Sequence, residues 1–388
     1  MKQRILLIAC FLLTFTFSTH AQGLIIMSGI SVPKDSVTKN DLIISLNGFL
    51  DQKEGPNKEN KFVLKEDLLA MSALLDEIKG MEKNAKLKDD HFYKAYLTNS
   101  VKLDDGDFLI QLSYLGMAEN APVLRASFRL LAKKQGGQFY FYSVLKQNTL
   151  AWKTKKLNNI TFHFRDTLDA ANANAYLKAA NSYDARLKTP VTPFNFYFCD
   201  NFPEVAQVLG VDYKLDYTGI KYDDISSHEN NTNLEINGGY DGPLCFDPHD
   251  LWHDRLHRVL STDVINRPVD EGCAYLYGGS WGTGWEEVLA MFKKYALEHP
   301  DADWLNLYIN TTNFVDGAKP MKIAYAINAL IVRKLEKEKG FAPVMELLSC
   351  GKREQGDNNY FKALEKITGI SKAGFNTAVW GLIREGRD

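Results

Sequence analysis

The chain has 388 residues, with 46 Lys and Arg against 48 Asp and Glu, a formal net charge of −2 and 45% hydrophobic residues. A charge so balanced and so evenly spread argues against nucleic acid or an anionic membrane surface as the main partner. Five cysteines are far too few for a fold built on disulfides, and the length is enough for two domains of ordinary size.

Residues 1–21 read MKQRILLIACFLLTFTFSTHA, with Lys2 and Arg4 ahead of an apolar run and small residues near Ala21. This is the pattern of a secretory signal peptide cleaved before Gln22, so the chain is expected to be exported, either periplasmic or secreted. Cys10 sits inside the apolar run, which argues against a lipid-attachment cysteine. No later stretch approaches eighteen consecutive apolar residues, so no transmembrane span is expected. Cys199, Cys245, Cys273 and Cys350 remain, and pairing among them is left open.

Residues 22–165 read as an α+β domain. Asp41 to Leu50 and Lys65 to Met81 carry helical spacing, whereas Phe108 to Tyr114, Val123 to Leu131, Phe139 to Leu145 and Ile160 to Phe164 read as strands. Turn signals at Asp104-Asp105-Gly106 and Gln135-Gly136-Gly137 separate them into an antiparallel sheet. The order, helices first and strands later, is similar to the NTF2-like or cystatin-like cone. The aromatic run Phe139 to Tyr142 is expected to be core.

Residues 166–388 read as a second, mainly helical domain with a small sheet. Leu168 to Tyr183 is a helix, Val191 to Cys199 a buried strand, and Pro203 to Leu209 a short helix stopped at Gly210. Asp223 to Gly239 is polar, a surface loop or hairpin in which Leu234-Glu235-Ile236 reads as an edge strand.

The stretch from Cys245 to Glu287 organises this second domain. His249, His253 and His257 recur every four residues, so a helix lines them up along one face. Each successive pair encloses an aspartate, giving HDLWH and then HDRLH, the HExxH zinc pattern with Asp for Glu, written twice in overlap. Two such nitrogens need one more protein ligand to make a catalytic zinc site with an open position, and Glu271 is the candidate. The order resembles the gluzincin metallopeptidases, whose peptidase MA-like domain carries its third ligand in an NEGxAxY phrase; here Asp270-Glu271-Gly272-Cys273-Ala274-Tyr275 stands in that place, departing at the first residue and at the tyrosine.

Two registers are open. His249 and His253 leave seventeen residues before Glu271, close to the spacing in that family, and enclose the uncharged Leu251 and Trp252. His253 and His257 leave thirteen and enclose Arg255, but Asp247-Pro248 then leads in better as N-cap and N1 of a helix whose ligands come a turn later. The first is preferred. A third set, Cys245 with two histidines, is disfavoured because the cysteine precedes the helix start. The resemblance assigns the water-activating acid to Asp250, or to Asp254 in the second register, each one methylene shorter than the family's Glu. Asp270 is also read as a partner that orients a ligand histidine.

Tyr277 to Trp285 packs four glycines and two tryptophans into nine residues, either a turn pinned by its tryptophans or the rim of a cleft. Met321 to Lys339, Ala342 to Cys350, Tyr360 to Thr368 and Lys372 to Glu385 read as helices with glycine stops. This succession again resembles the C-terminal half of a peptidase MA-like domain, with Tyr325-Ala326 opening one helix; in several gluzincins a tyrosine there steadies the oxyanion, which makes Tyr325 a candidate catalytic residue. The resemblance implies Zn2+ and hydrolysis of a peptide or protein substrate. The shortened acid leaves a second expectation: a catalytically impaired pseudo-peptidase that acts as a secreted binding or interaction protein.

Overall fold

The computed structural model describes residues 23–219, 222–239 and 246–385. Residues 1–22, where the signal peptide is expected, and Cys245 therefore lie outside the described residues. The fold is α+β, and the chain divides into two compact units that alternate along the sequence: Met1–Ala151 with Pro203–Asn230, and Trp152–Phe202 with Asn231–Asp388.

The first unit opens with β1 (Ile25–Ile26), α1 (Ser36–Asp51) and α2 (Leu68–Ile78), then β2 (Lys94–Lys102), β3 (Phe108–Ala118), β4 (Ala121–Gln135), β5 (Gln138–Ser143) and the single turn α3 (Leu145–Asn148). Asp35 caps α1 by accepting from the N–H groups of Val37 and Thr38, which extends the helix five residues ahead of the predicted start. The strands run in order β1-β2-β3-β4-β5, antiparallel except for β1 beside β2. Along β5 the alternation sends Phe139 and Phe141 inward at 0% exposure, and Phe141 meets Phe49 of α1 with ring centroids 5.0 Å apart. Tyr140 and Tyr142, on the opposite face, are only half-buried, so the expectation of core holds for alternate residues of the run, as a period of two requires.

The second unit then begins with β6 (Lys153–Leu157), β7 (Ile160–Phe164), α4 (Ala170–Leu187) and β8 (Phe194–Phe198). The chain goes back to the first unit for α5 (Phe202–Leu209), β9 (Val211–Lys214), which pairs antiparallel with β4, and β10 (Asp224–Glu229). It returns for good with β11 (Thr232–Asn237). In this unit β11, β8 and β7 are successive parallel neighbours, and β6 is antiparallel to β7. A single cut at 165 therefore differs from the observed division. Ile160 to Phe164 pairs with β8 and not with the first sheet, because Ile160 and Phe162 are buried with Tyr176 of α4 and Phe196 of β8. Nor is Leu234 to Ile236 an exposed edge: Asn233 to Asn237 are all buried, and the Glu235 carboxylate accepts from the Tyr176 hydroxyl and the Asn237 amide.

Among the described residues eight helices complete the unit: α6 (Pro248–His257), α7 (Arg267–Gly278), α8 (Trp285–Glu298), α9 (Trp304–Ile309), α10 (Ile323–Lys339), α11 (Ala342–Leu348), α12 (Asn358–Thr368) and α13 (Phe375–Glu385), with the short pair β12 (Asn313–Val315) and β13 (Met321–Lys322) before α10. Every residue from Ile323 to Val332 is buried, so α10 is the central helix and is apolar almost all round. Close approach of α7 to it depends on Gly272, where a Cβ would lie 2.5 Å from Asn328 Cβ and 2.9 Å from Ala329 N. Among the described residues no helix is long and apolar enough to cross a membrane. Cys199, Cys273 and Cys350 are free thiols.

Candidate metal centre

Asp247 caps α6 through the His249 N–H and Pro248 occupies its first turn, which starts the helix where the sequence placed it. Leu251, Trp252, Arg255 and Leu256 then form the buried face. Arg255 is anchored on α4, donating to both oxygens of Asp184 at 3.2 and 2.9 Å, so the helix cannot rotate without opening a buried ion pair. The adjoining face carries the histidines.

His249, His253 and Glu271 come together, with one ligand atom from each lying within 4.8 Å of the others. The two imidazole Nε2 atoms are 3.2 Å apart, and His249 Nε2 is 3.6 Å from Glu271 Oε2. The outward nitrogens are both engaged. His249 Nδ1 donates to the Gly279 carbonyl at 2.7 Å, and His253 Nδ1 donates to Asp270 Oδ1 at 2.9 Å, an oxygen that also accepts from the Trp252 indole at 3.1 Å. A carbonyl can only accept, and so does an ionised carboxylate, so these bonds put the ring hydrogens on Nδ1 and leave both Nε2 lone pairs aimed at each other. That arrangement is repulsive unless a proton or a cation sits between them. Two imidazole nitrogens and a carboxylate oxygen on one spot are a donor set that fits a metal ion.

The electrostatics agree with this. Burial pulls the His249 pKa down, but its contacts with Glu271 and the Gly279 carbonyl outweigh that and the net direction is up. For His253 burial is likewise outweighed by Asp270, and the net direction is again up. Burial pushes the Glu271 carboxyl up, yet His249, His253 and Arg267 together hold it below the usual carboxylate range. The site is built to hold positive charge.

Backbone geometry delivers these groups. Gly278 ends α7 against the start of α6, and a Cβ there would lie 2.5 Å from both His249 Cα and Pro248 C. Gly279 follows at φ +82°, a conformation that costs glycine little, and turns its carbonyl onto His249. His249 lies in the first turn of α6, directly after the lead-in at Asp247-Pro248. His257 is exposed and is not a member of the group, Asp250 is exposed beside His249, and Asp254 is half-buried. Tyr325, on α10, is buried, packs edge-on to Tyr275 at 5.6 Å, and is kept protonated by burial and the nearby Glu271 charge. Sequence reasoning missed the Gly279 carbonyl and Arg267, which lies 3.3 Å from Glu271 Oε1 one helical turn before it; only the i,i+4 spacing of Arg267 and Glu271 signalled the latter.

A scan against protein-family models finds no match to this chain, and a search of curated proteins finds none either.

Proposed function

We propose that this chain is an exported zinc-dependent peptide hydrolase of gluzincin type. The observation that carries the reading is the pair of Nε2 atoms 3.2 Å apart whose Nδ1 hydrogens are already committed to Gly279 and Asp270, with Glu271 alongside. Two imidazoles and one carboxylate are the protein ligands of catalytic zinc sites that keep a fourth position open. Bound there, zinc supplies the Lewis acidity that acidifies water towards a pKa of about 7 and polarises a peptide carbonyl.

The chain's own residues do the rest. Asp250 follows the first ligand directly and takes the proton of the attacking water at a carboxylate oxygen, then returns it to the leaving amine. Tyr325 donates its hydroxyl hydrogen to the oxygen that gains charge. Asp270 and the Gly279 carbonyl hold the imidazoles in the tautomer that presents Nε2.

A second reading, a zinc-bearing pseudo-peptidase that binds a protein partner, draws on the exposed and shortened acid at Asp250. Elemental analysis followed by a peptide-library assay separates the two. The hydrolase requires stoichiometric zinc with cleavage, whereas zinc without any cleavage gives the binder. Asp250→Asn should abolish cleavage with zinc retained, Asp250→Glu should raise turnover, and Asp254→Asn should be tolerated. Loss of activity on Asp254→Asn with Asp250→Asn spared would overturn the acid assignment.

A further inference from the structure

A cleft of about 500 Å³ opens directly beside the metal group, with Arg267, Asp270, Glu271, Lys352 and Arg353 as its charged lining next to His253. These charges fall into two sets. Asp270 is committed to His253 and Trp252, and Glu271 to the metal group. Arg353 is spent as well: it donates to both oxygens of Asp357, to the carbonyls of Tyr308 and Ile309, and to the Thr311 hydroxyl. It is a structural clamp, with every guanidinium nitrogen in use.

Arg267 and Lys352 remain. The Arg267 side chain is 76% exposed; it touches Glu271 through one nitrogen at 3.3 Å and lies beside the Tyr325 hydroxyl, leaving much of its fork facing solvent. Lys352 is 64% exposed, and its carboxylate partner, Asp263, is itself 79% exposed and does not line the cleft. An exposed pair of that kind is worth little and exchanges readily for a ligand. Both acids in the lining are thus occupied and two cations are available. With both acids and Arg353 engaged, the charged groups left facing the cleft are cationic, and such a surface attracts ligands of the opposite sign.

We infer that this cleft selects substrates bearing a carboxylate next to the bond to be cut, with Arg267 and Lys352 as the recognising residues. Arg267 offers the planar fork that matches a carboxylate, and Lys352 adds a second point charge. The carboxylate comes either from the C-terminus of a peptide or from an Asp or Glu side chain. This inference rests on the hydrolase reading, since only that reading makes the cleft a substrate site.

The test is calorimetric titration of the full-length, zinc-loaded Asp250→Asn protein, which is expected to bind without cleaving, with three N-acetylated tripeptides. One carries a free C-terminus and neutral side chains, the second is its C-terminal amide, and the third is the amide with one Glu. The expected result is at least about tenfold tighter binding of a carboxylate peptide than of the neutral amide, the scale of one charge-assisted hydrogen bond. Preference for the first peptide identifies a C-terminal carboxylate and preference for the third a side chain. Lys352→Ala and Arg267→Ala should each pull the ratio towards one, and Lys352→Ala should leave zinc content unchanged. Equal affinity for all three peptides, or a ratio that survives both substitutions, overturns the inference. Zinc binding and cleavage without carboxylate preference would sink the inference alone, whereas carboxylate preference in a protein that never binds zinc would sink the hydrolase reading.

Discussion

At the scale of single residues, Asp270 decides more than His249, His253 or Glu271 does. One oxygen, Oδ1, accepts from the His253 ring at 2.9 Å and from the Trp252 indole at 3.1 Å, and both donors are on α6 whereas Asp270 is on α7. The same atom therefore fixes the His253 tautomer and satisfies a fully buried tryptophan. Removing it separates two costs that are usually confounded. Asp270→Ala should lower zinc affinity about 10–100-fold, the usual penalty for losing the partner of a metal-binding histidine, and should also destabilise the fold by about 1–3 kcal/mol because the indole N–H is orphaned. Asp270→Asn keeps an acceptor oxygen in the same place but drops the charge. It should restore most of the stability while recovering only part of the zinc affinity. Competition with a chromogenic chelator and urea unfolding read the two quantities independently. If both variants lose stability and zinc affinity in the same proportion, Asp270 is a packing residue and orients nothing.

At the scale of elements, the site depends on how closely α7 passes the start of α6. Gly278→Ala would drive a methyl against Pro248 and His249, where the contact is backbone and cannot swing away. An overpacking cost of about 1–3 kcal/mol is expected, together with weaker zinc binding, because what must shift is the helix that carries His249 and His253. Gly381 provides the contrast: it lies inside α13 with nothing within 4 Å of an added Cβ, so Gly381→Ala should stabilise by about 0.5–1 kcal/mol. A Gly278→Ala protein as stable and as zinc-competent as the parent would mean that the helices tolerate more separation than their geometry implies. These elements were legible to different degrees. The histidine face of α6 could be read because spacing by four is the helix period itself, and Asp247-Pro248 marked its start through capping chemistry. Strand β6 could not be read, since Lys153 to Lys156 is exposed and carries no apolar alternation, and β2 is nearly as polar, with only Ala95 and Leu97 buried. Helix α9 spans only Trp304–Ile309, too short for a period to declare itself. The Gly279 carbonyl carries no side-chain signal at all. Its role exists only because the chain turns at positive φ there.

At the scale of the whole molecule, the chain leaves its first compact unit at Ala151, revisits it from Pro203 to Asn230, and only then completes the second. Sequence periodicity cannot reveal such interleaving, because each strand looks the same whichever sheet it joins. The consequence reaches the metal group through a chain of contacts. Strand β7 supplies Phe162, which packs on Tyr176 of α4 at 6.5 Å and on Phe196 of β8 at 5.8 Å. Helix α4 in turn supplies Asp184, which anchors Arg255 and so sets the rotation of α6. A fragment beginning at residue 166 therefore lacks β6 and β7, leaves one side of β8 without its parallel neighbour, and uncovers the aromatic face that supports α4. Such a fragment should unfold without a cooperative transition and bind zinc far below one equivalent, although His249, His253 and Glu271 are all present in it. Starting the fragment at residue 152 restores both strands and should recover zinc binding. Circular dichroism melts with and without zinc, beside elemental analysis, check both. A cooperative, stoichiometrically zinc-loaded fragment 166–388 would show that α4 and α6 hold their places without the sheet, and that the route from β7 to the site is not needed.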